Sequence, residues 1–312
     1  MQGNKILLVG SANMDFSMNI CRMPAIGETL IDDGGVAYTP GGKGGNAAIA
    51  LARLGADCLF YTKLGKDAHG QKLYNYYRDM GVNTAAIKVD SDHPTGLAVV
   101  IKEGDGSNRI IVYPGANAYV STDGIREAFA HSPEALYLNF EIPFEIARSA
   151  ARIASERGMP IFVDAAPADA DYELDTLPPV EIFSPNETEV EKYTGISPVG
   201  TENLLRASIA LCRMVKARYI VIKLGARGAF LYDGKKYASF PAVRADKVVD
   251  TTGAGDVFTA ALTSEYLRCG DIHRAINFAN CAGAIQVSRV GASSAVPTRE
   301  EVEALYQRTK FY

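Results

Sequence analysis

From residue 121 onward, short apolar runs alternate regularly with stretches of helical periodicity. The runs predicted to be strands cover 135–140, 160–164, 181–184 and 219–224, and the predicted helices cover 122–130, 143–157, 187–193 and 201–216. Such alternation favours parallel strands, because each helix carries the chain back across one face of the sheet. The sequence therefore predicts an α/β fold, a doubly wound and mostly parallel sheet flanked by helices.

The N-terminal part of the chain extends the same architecture. Residues 5–10 and 58–64 are predicted to be buried strands, and 46–54 and 70–80 are predicted to be helices. Three further helices, predicted over 256–267, 272–288 and 298–308, close the chain. Because all of these units can pack on one sheet, we expect a single domain over 1–312.

Two segments do not fit the core pattern. Residues 17–40 are rich in Gly and Pro, and the predicted strands 95–101 and 109–113 flank a turn at 103–108, as in a β-hairpin. We expect them to form one small sheet that is split in the sequence. This sheet would project from the core as a lid, formed by about 15–40 and 95–113.

The charge balance favours a small-molecule partner. The 312 residues carry a formal net charge of -4, and no run of like charges forms a basic patch. We therefore expect no nucleic-acid partner. No apolar run approaches the roughly 20 residues of a membrane span, so no membrane partner is expected either. The five cysteines are scattered, which favours a cytoplasmic location.

Residues 250–256 combine an anion site with a candidate base. Gly253 and Gly255 flank Ala254 directly before a predicted helix, whose free N–H groups and positive dipole end attract an anion. Asp256 lies in the first turn of that helix, where it could accept a proton from an attacking hydroxyl. The alternative is that Asp256 only caps the helix.

A second glycine-rich turn, Gly41–Gly45, precedes the predicted helix at Asn46. It is not a dinucleotide fingerprint, because residues 37–40 are not the opening strand of a βαβ unit. It is not a phosphate-binding P-loop either, because Lys43 is followed by Gly44 and not by Ser or Thr. The turn is interpreted as a site where backbone N–H groups, Lys43 and Asn46 contact a polar ligand.

Polar side chains follow the predicted strands at one edge of the sheet. They are Asn13 with Asp15, Glu141, Asp164, Asn186 with Glu189, and Lys223 with Gly225. Open α/β sheets bind their ligands at this edge. Asn13 and Asp15 would share one strand face and bind neighbouring hydroxyls, and the alternative is an Asx turn. Glu189 could serve hydrated Mg²⁺ near phosphates or lie on a solvated helix face.

These motifs resemble the PfkB family of carbohydrate kinases, and within it the ribokinase group. The resemblance rests on six motifs, Gly10–Asp15, Gly41–Asn46, Pro114–Asn117, Pro185–Glu189, Leu224–Gly228 and Asp250–Asp256. It implies that the γ-phosphate of ATP is transferred to a sugar hydroxymethyl, with Asp256 as base and Gly253–Gly255 as anion hole. Ribose is the expected sugar, while fructose, another sugar or a nucleoside remains open. A sugar sensor without catalysis and a nicotinamide oxidoreductase are the competing classes.

The resemblance also assigns binding residues. The sugar would be bound by Asn13, Asp15, Gly41, Gly42, Lys43, Asn46, Glu141 and Asp256. The nucleotide would be bound by Asn186, Lys223, Leu224, Gly225, Ala226, Arg227, Gly228, Gly255 and Asn280. Lys223 stands where Thr or Ser is more usual, so it could strengthen phosphate binding or form a salt bridge elsewhere.

The resemblance further implies metal ions and a partner subunit. K⁺ would bind a loop that matches Asp250, Thr252, Gln286, Arg289 and Gly291, and Mg²⁺ would be held indirectly by Glu189. Position 295 is Ala where Ser is frequent, which removes one expected cation ligand. The lid would pair with its copy in a second subunit, so a homodimer is expected.

Overall fold

The computed structural model describes residues 4–104 and 107–311. Its main sheet has eight strands in the order β14-β13-β12-β11-β10-β9-β1-β4. These strands are β1 Lys5–Val9, β4 Asp57–Tyr61, β9 Ala135–Leu138, β10 Ile161–Asp164, β11 Val180–Ser184, β12 Ala217–Lys223, β13 Ala229–Tyr232 and β14 Tyr237–Phe240. Pairing is parallel from β4 to β12. The predicted fold class is confirmed.

Helices cover both faces of this sheet. They are α1 Lys43–Arg53, α2 Ala68–Asp79, α3 Thr122–Phe129, α4 Phe144–Glu156, α5 Glu187–Thr194, α6 Gly200–Val215, α7 Ala254–Cys269, α8 Ile272–Val287 and α9 Arg299–Arg308. Strand β1 shows why two layers are needed. Its side chains alternate, so Ile6 and Leu8 pack in the core with α1, α7 and α8, while Leu7 and Val9 pack in the core with α3, α4 and α6.

The strand order reverses at β1, which positions the candidate site. The chain passes from β1 to β4 on one side and then from β4 to β9 on the other side of β1. Connections that leave in opposite directions open a crevice at the carboxyl ends of the strands. Residues 10–15 follow β1 directly at this crevice.

A separate four-stranded sheet, here called the lid sheet, has the order β3-β2-β7-β8. Its strands are β2 Asn13–Ile20, β3 Val36–Gly41, β7 Gly96–Glu103 and β8 Asn108–Tyr113. The two sequence segments therefore form one small sheet, as predicted, with β2 parallel to β7 and antiparallel to β3. Residues 105 and 106, in the turn predicted at 103–108, lie outside the described residues, as do 1–3 and 312.

Several details of the core differ from the sequence prediction. The strand predicted over 58–64 is two strands, because β5 Lys63–Gly65 leaves the main sheet and pairs with β6 Lys88–Asp90. The hairpin of β13 and β14 has no counterpart in the prediction, since short edge strands leave little periodicity. Helix α7 begins at Ala254, two residues before the predicted start at 256, and α1 begins at Lys43, three residues before the predicted start at 46, because the last glycines of the turn are already helical. Among the described residues, no helix is long and apolar enough to cross a membrane.

Candidate active site

The path from β1 into β2 gives Asn13 and Asp15 their positions. Both belong to β2, so the extended path continues as predicted and the Asx-turn alternative is not needed. Asn13 pairs with Gly41 on one side and with Gly96 on the other. The carboxylate of Asp15 lies against Gly41, where a β-carbon would come 2.1 Å from Asp15 Oδ2. The first lid strand therefore carries both side chains to the glycine turn.

The glycine turn is held in shape by Glu141. Oε2 of Glu141 accepts hydrogen bonds from the Lys43 backbone N–H at 2.9 Å and from the Ser11 hydroxyl. The backbone of Gly44 approaches Ser11 so closely that a β-carbon on Gly44 would lie 2.4 Å from the Ser11 carbonyl oxygen. Gly42 takes φ 83° and starts α1 without a capping side chain. Only glycine meets both demands without strain.

Helix α7 starts with a candidate anion site. Its N-cap is Gly253, with φ 73°, and no side chain caps the helix in the part of the chain that the structure describes. By contrast, Asp67, Asn186 and Asp271 cap α2, α5 and α8 with their side chains. Free N–H groups and the dipole at the start of α7 can therefore receive a developing negative charge.

Asp256 is buried in the first turn of α7 and faces the glycine turn. Its Oδ2 accepts a hydrogen bond from Asn46 Nδ2 at 2.8 Å, and its Oδ1 lies 3.8 Å from Lys43 Nζ. Oδ1 of Asn46 is buried without a hydrogen-bond partner among the described residues, so it is free to accept from a ligand hydroxyl. The capping alternative for Asp256 is not supported, because its contacts lie across the cleft.

The carboxylates of this cleft perturb one another. Burial raises the pKa of Asp256 to about 6. Burial, followed by repulsion from Glu141 and Asp256, raises the pKa of Asp15 to about 7. For Lys43, burial alone would lower the pKa, but Asp256 and further carboxylates raise it above its ordinary value. A charged Lys43 next to carboxylates poised near neutral pH is an arrangement typical of acid–base chemistry.

Lys223 ends β12 beneath the first turn of α7. Its Nζ donates to Asp164 Oδ1 at 2.8 Å and to Thr259 Oγ1 at 3.3 Å, and this ion pair is almost completely buried. A β-carbon on Gly255 would lie 3.7 Å from Lys223 Nζ. Lys223 therefore forms a salt bridge with Asp164 and lies directly under the anion site.

The other residues predicted for the nucleotide form a continuous rim beyond Lys223. Asn186 forms a β-bridge with Lys223, and Leu224–Gly228 form the following turn, whose Arg227 pairs with Glu187. A β-carbon on Gly228 would collide with the Phe240 carbonyl oxygen at 2.0 Å, beside Pro241. Asn280 on α8 donates to the Pro241 carbonyl oxygen at 3.2 Å, which joins the helix to this rim.

The fit of Mg²⁺ depends on Glu189. Its carboxylate accepts from the backbone N–H and the side-chain amide of Asn186 at 2.7 and 2.8 Å, so the two residues form a capping box at the start of α5. Burial raises the pKa of Glu189. Within residues 4–104 and 107–311, no cluster of three or more His, Cys, Asp or Glu side chains is arranged to hold a metal ion. A single carboxylate such as that of Glu189 fits Mg²⁺ held through water and phosphate oxygens, the mode that Mg²⁺ prefers.

The residues predicted for K⁺ are partly brought together. Asp250 accepts from Thr252 N–H at 2.9 Å and from Gly291 N–H at 3.1 Å, which closes the loop below the anion site. Gln286 contacts this loop through its side-chain amide nitrogen. Arg289 instead directs its guanidinium to Glu301 at 2.6 Å, and residue 295 is Ala, without a side-chain oxygen. The predicted set therefore does not converge on one point through its side chains.

Asn117 is a site residue whose role the sequence did not indicate. Its amide donates to Asn13 Oδ1 at 2.8 Å and to the Ala12 carbonyl oxygen, and accepts from the Ala12 N–H. Since Asn117 is buried and every bond uses its amide, it fixes the orientation of the Asn13 amide and ties down the start of the lid sheet. The motif Pro114–Asn117 was the only signal in the sequence.

Comparison with known proteins places this geometry in a family. The model of the pfkB family carbohydrate kinases matches residues 4–299. The ribokinase of Arabidopsis thaliana is 33% identical over 305 residues, which cover 95% of this chain and 79% of that protein. The ribokinase of Haemophilus influenzae is 31% identical, covering 95% of this chain and 96% of the relative. A solved structure of the Arabidopsis thaliana enzyme, complexed with ribose and ATP, has a TM-score of 0.89 at 33% identity and covers 98% of this chain and 99% of its own. The chain thus belongs to the pfkB family of carbohydrate kinases.

Proposed function

We propose that this chain is an ATP-dependent ribokinase, which transfers the γ-phosphate of ATP to the hydroxymethyl oxygen of ribose and yields ribose 5-phosphate. The observation that carries the proposal is the position of Asp256. It contacts Asn46 of α1 and Lys43 of the glycine turn, and it lies in the uncapped first turn of α7, above Lys223. The similarity to ribokinases, one of them solved with ribose and ATP, supports the choice of sugar.

In this proposal Asp256 accepts the proton of the sugar hydroxymethyl as its oxygen attacks phosphorus. The N–H groups of Gly253–Gly255 hold the charge on the transferring group. Lys43 lies close enough to Asp256 to keep it ionised, since their charged atoms are 3.8 Å apart. Phosphoryl transfer requires mainly positioning and charge neutralisation, and these residues supply both.

The sugar would lie between the lid sheet and the glycine turn. Asn13 and Asp15 from β2, with Glu141 behind the turn, offer an amide and carboxylates to the ring hydroxyls. Gly41 and Gly42 let the ligand approach the backbone closely. Closure of the lid sheet would exclude water that could otherwise accept the phosphoryl group.

The nucleotide would lie along the rim from Asn186 to Asn280. Lys223, with Gly255 above it, would face the phosphates, and Leu224–Gly228 would provide backbone groups. Mg²⁺ belongs to the proposal as an ion held by ATP and, through water, by Glu189 and Asp164. When bound, it neutralises phosphate charge.

The perturbed carboxylates predict how activity depends on pH. A base works only when ionised, so kcat/KM for ribose is expected to fall as the pH drops through the window set by Asp256, about 6, and Asp15, about 7. The two groups interact, so the two apparent pKa values of this window belong to the pair and not to either residue alone. Rates at saturating ATP between pH 5 and 9, at constant ionic strength, measure this. A profile that stays flat down to pH 5 would contradict it.

The choice of ribose is tested by a coupled ADP-release assay. Ribose, deoxyribose, fructose, ketodeoxygluconate and adenosine are compared by kcat/KM, because a site that hydrogen-bonds each hydroxyl rejects sugars that lack or misplace one. Ribose is expected to give the highest value. Fructokinase, or another kinase of the family that acts on a sugar or nucleoside, is the alternative, and a clearly higher value for another substrate would select it. No phosphate transfer to any substrate would favour a sugar sensor without catalysis.

Assembly and location are further parts of the proposal. We propose one ribokinase-like domain over 1–312 that forms a homodimer through the lid sheet. The outer strand β8 supports this, since Ile110, Ile111, Val112 and Tyr113 are all exposed although they alternate between two faces. Light scattering at micromolar concentration distinguishes dimer from monomer. The proposed location is the cytoplasm, which suits free cysteines.

A further inference from the structure

Gln286, on α8, is fully buried against the loop that shapes the anion site. Its side-chain nitrogen Nε2 donates toward three backbone carbonyl oxygens: Thr252 at 3.1 Å, Gly291 at 3.2 Å and Ala292 at 2.8 Å. Three oxygens around one point form a cluster of negative partial charge. Such a cluster requires a cation or a hydrogen-bond donor at its centre.

The amide can have only one orientation in this cluster. Rotation by half a turn would place Oε1 of Gln286 against three other oxygens, which would repel it. Oε1 has no hydrogen-bond partner in the described part of the chain, so the three carbonyl contacts of Nε2 fix the side chain. Thr252 and Gly291 are two of the residues that the sequence predicted as K⁺ ligands, and their carbonyl oxygens already accept from this amide.

The oxygens of Asp250 accept hydrogen bonds within the same loop. Oδ1 accepts from the backbone and side chain of Thr252, and Oδ2 accepts from the Gly291 N–H. Ala295 and Arg289, whose guanidinium is bound to Glu301, add no side-chain oxygen at this point. The hydroxyl of Ser294, beside Gly291, donates to the Val290 carbonyl oxygen at 3.5 Å. A monovalent cation that used the same carbonyl oxygens would have to displace the amide, so the residues present do not fit the predicted ion.

We propose that the amide of Gln286 replaces a monovalent cation in this enzyme and shapes the anion site from within the chain. The K⁺ ion that the resemblance implies is then not needed, and turnover should be independent of K⁺. This inference rests on the proposed function. Gln286 is a positioning residue, because it touches neither the sugar nor the nucleotide rim.

The contacts that transmit this effect are short. Thr252 directly precedes Gly253, the N-cap of α7. A β-carbon on Gly253 would lie 3.2 Å from the β-carbon of Ala292, whose carbonyl oxygen is the nearest acceptor of the Gln286 amide. If the amide is removed, the carbonyl oxygens repel one another and the peptides on both sides of Gly253 move, which misaligns the N–H groups of the anion site.

The first test compares the unaltered enzyme in KCl and in tetramethylammonium chloride at equal ionic strength. We expect kcat values that agree within about twofold, because preorganised donors already shape the site. Activation by K⁺ of about fivefold or more would overturn the proposal, since it would show that an ion, and not the amide, completes the loop.

The second test uses Gln286→Ala and the nearly isosteric Gln286→Glu, with the exposed Gln71→Glu of α2 as matched control. Without K⁺ both variants should lose about 10- to 100-fold in kcat, less than the loss of a direct oxyanion donor. Addition of K⁺ should raise the kcat of both variants by at least about fivefold. The Gln286→Glu variant should bind K⁺ more tightly than Gln286→Ala, because its new carboxylate adds a negative charge. The control should stay within about twofold of the unaltered enzyme.

A binding readout separates this inference from the proposed function. Thermal unfolding is followed against KCl and against tetramethylammonium chloride, without substrates. A K⁺-specific stabilisation is expected in the two Gln286 variants but not in the unaltered chain or in Gln71→Glu. If the variants gain no such stabilisation, the proposal is wrong even if the enzyme is a ribokinase. If a variant does not fold, the comparison on the unaltered chain still decides.

Discussion

Replacement of Asp256 by Asn is expected to lower kcat by about 10²- to 10⁴-fold while both substrates remain bound. Asn has almost the same shape but cannot accept the proton of the sugar hydroxyl at neutral pH. The local structure should be retained, because the side chain of Asn46 can rotate. Its Oδ1, which has no partner in the described part of the chain, would then accept a hydrogen bond from the new amide. The loss corresponds to roughly 3 to 5 kcal/mol of barrier at about 1.4 kcal/mol per decade.

Stopped-flow or steady-state kinetics give kcat, and calorimetry gives the dissociation constants of ribose and ATP. The nucleotide could bind more tightly in the variant, since one negative charge near the phosphates is removed. The matched control is Asp271→Asn, which alters a carboxylate that only caps a helix, at the start of α8. If Asp256→Asn retained more than about a tenth of the unaltered kcat, like the control, Asp256 would not be the base.

The second large effect concerns stability and Glu265, near the end of α7. Its side chain is fully buried and pairs with Arg268, with Arg274 of α8 at 2.6 Å and with Arg299 of α9 at 2.9 Å. Glu265→Ala leaves three guanidinium groups without their shared carboxylate. Loss of one partner of a buried pair costs about 3 to 5 kcal/mol. Because the arginines are partly exposed, we expect about 3 kcal/mol, measured by urea unfolding.

The pKa of Glu265 predicts how its contribution to the free energy of unfolding depends on pH. Burial alone would raise the pKa, but hydrogen bonds from the three arginines hold it at about 2, below its ordinary value of 4.5. A lowered pKa in the folded state means that the contribution is complete above pH 4.5 and is lost as the pH falls towards 2. The difference between the unaltered chain and Glu265→Gln should shrink over that window. Exposed Glu127, paired with Lys88, is the control and its replacement by Gln should cost under about 1 kcal/mol.

Much of the fold could be predicted because apolar residues recur regularly in the core strands and helices. The strands at β1 and β9–β12 are continuous apolar runs, and their helices carry one apolar face, so the parallel sheet and its ligand edge followed from periodicity. The hairpin β13–β14 escaped because it is short and lies at the sheet edge. The split of 58–64 could not be predicted because only Thr62 separates the two strands, without a Gly or Pro to mark a boundary.

The site could be predicted only where a motif fixes its own backbone. The glycines of 41–45 and 253–255 indicate close backbone approach and helix starts, so the glycine turn and the uncapped start of α7 could be predicted from their spacing. The partner of Lys223 could not be predicted, because Asp164 comes near it only through the folded chain. The residues around Gln286 were expected together, but not that its amide nitrogen would donate to their carbonyl oxygens. Asn117 likewise reaches Asn13 across 104 positions of sequence.

The central claim is that this chain transfers one phosphoryl group from ATP to the hydroxymethyl of a sugar. Phosphorus NMR of the unaltered enzyme with MgATP and ribose tests it directly, because ADP, inorganic phosphate and the phosphorylated sugar give separate signals. We predict one ribose 5-phosphate for each ADP, little inorganic phosphate, and slow ATP hydrolysis when ribose is left out, because the closed site excludes water. Inorganic phosphate formed in step with ADP, or a sugar phosphorylated at another oxygen, would contradict this account.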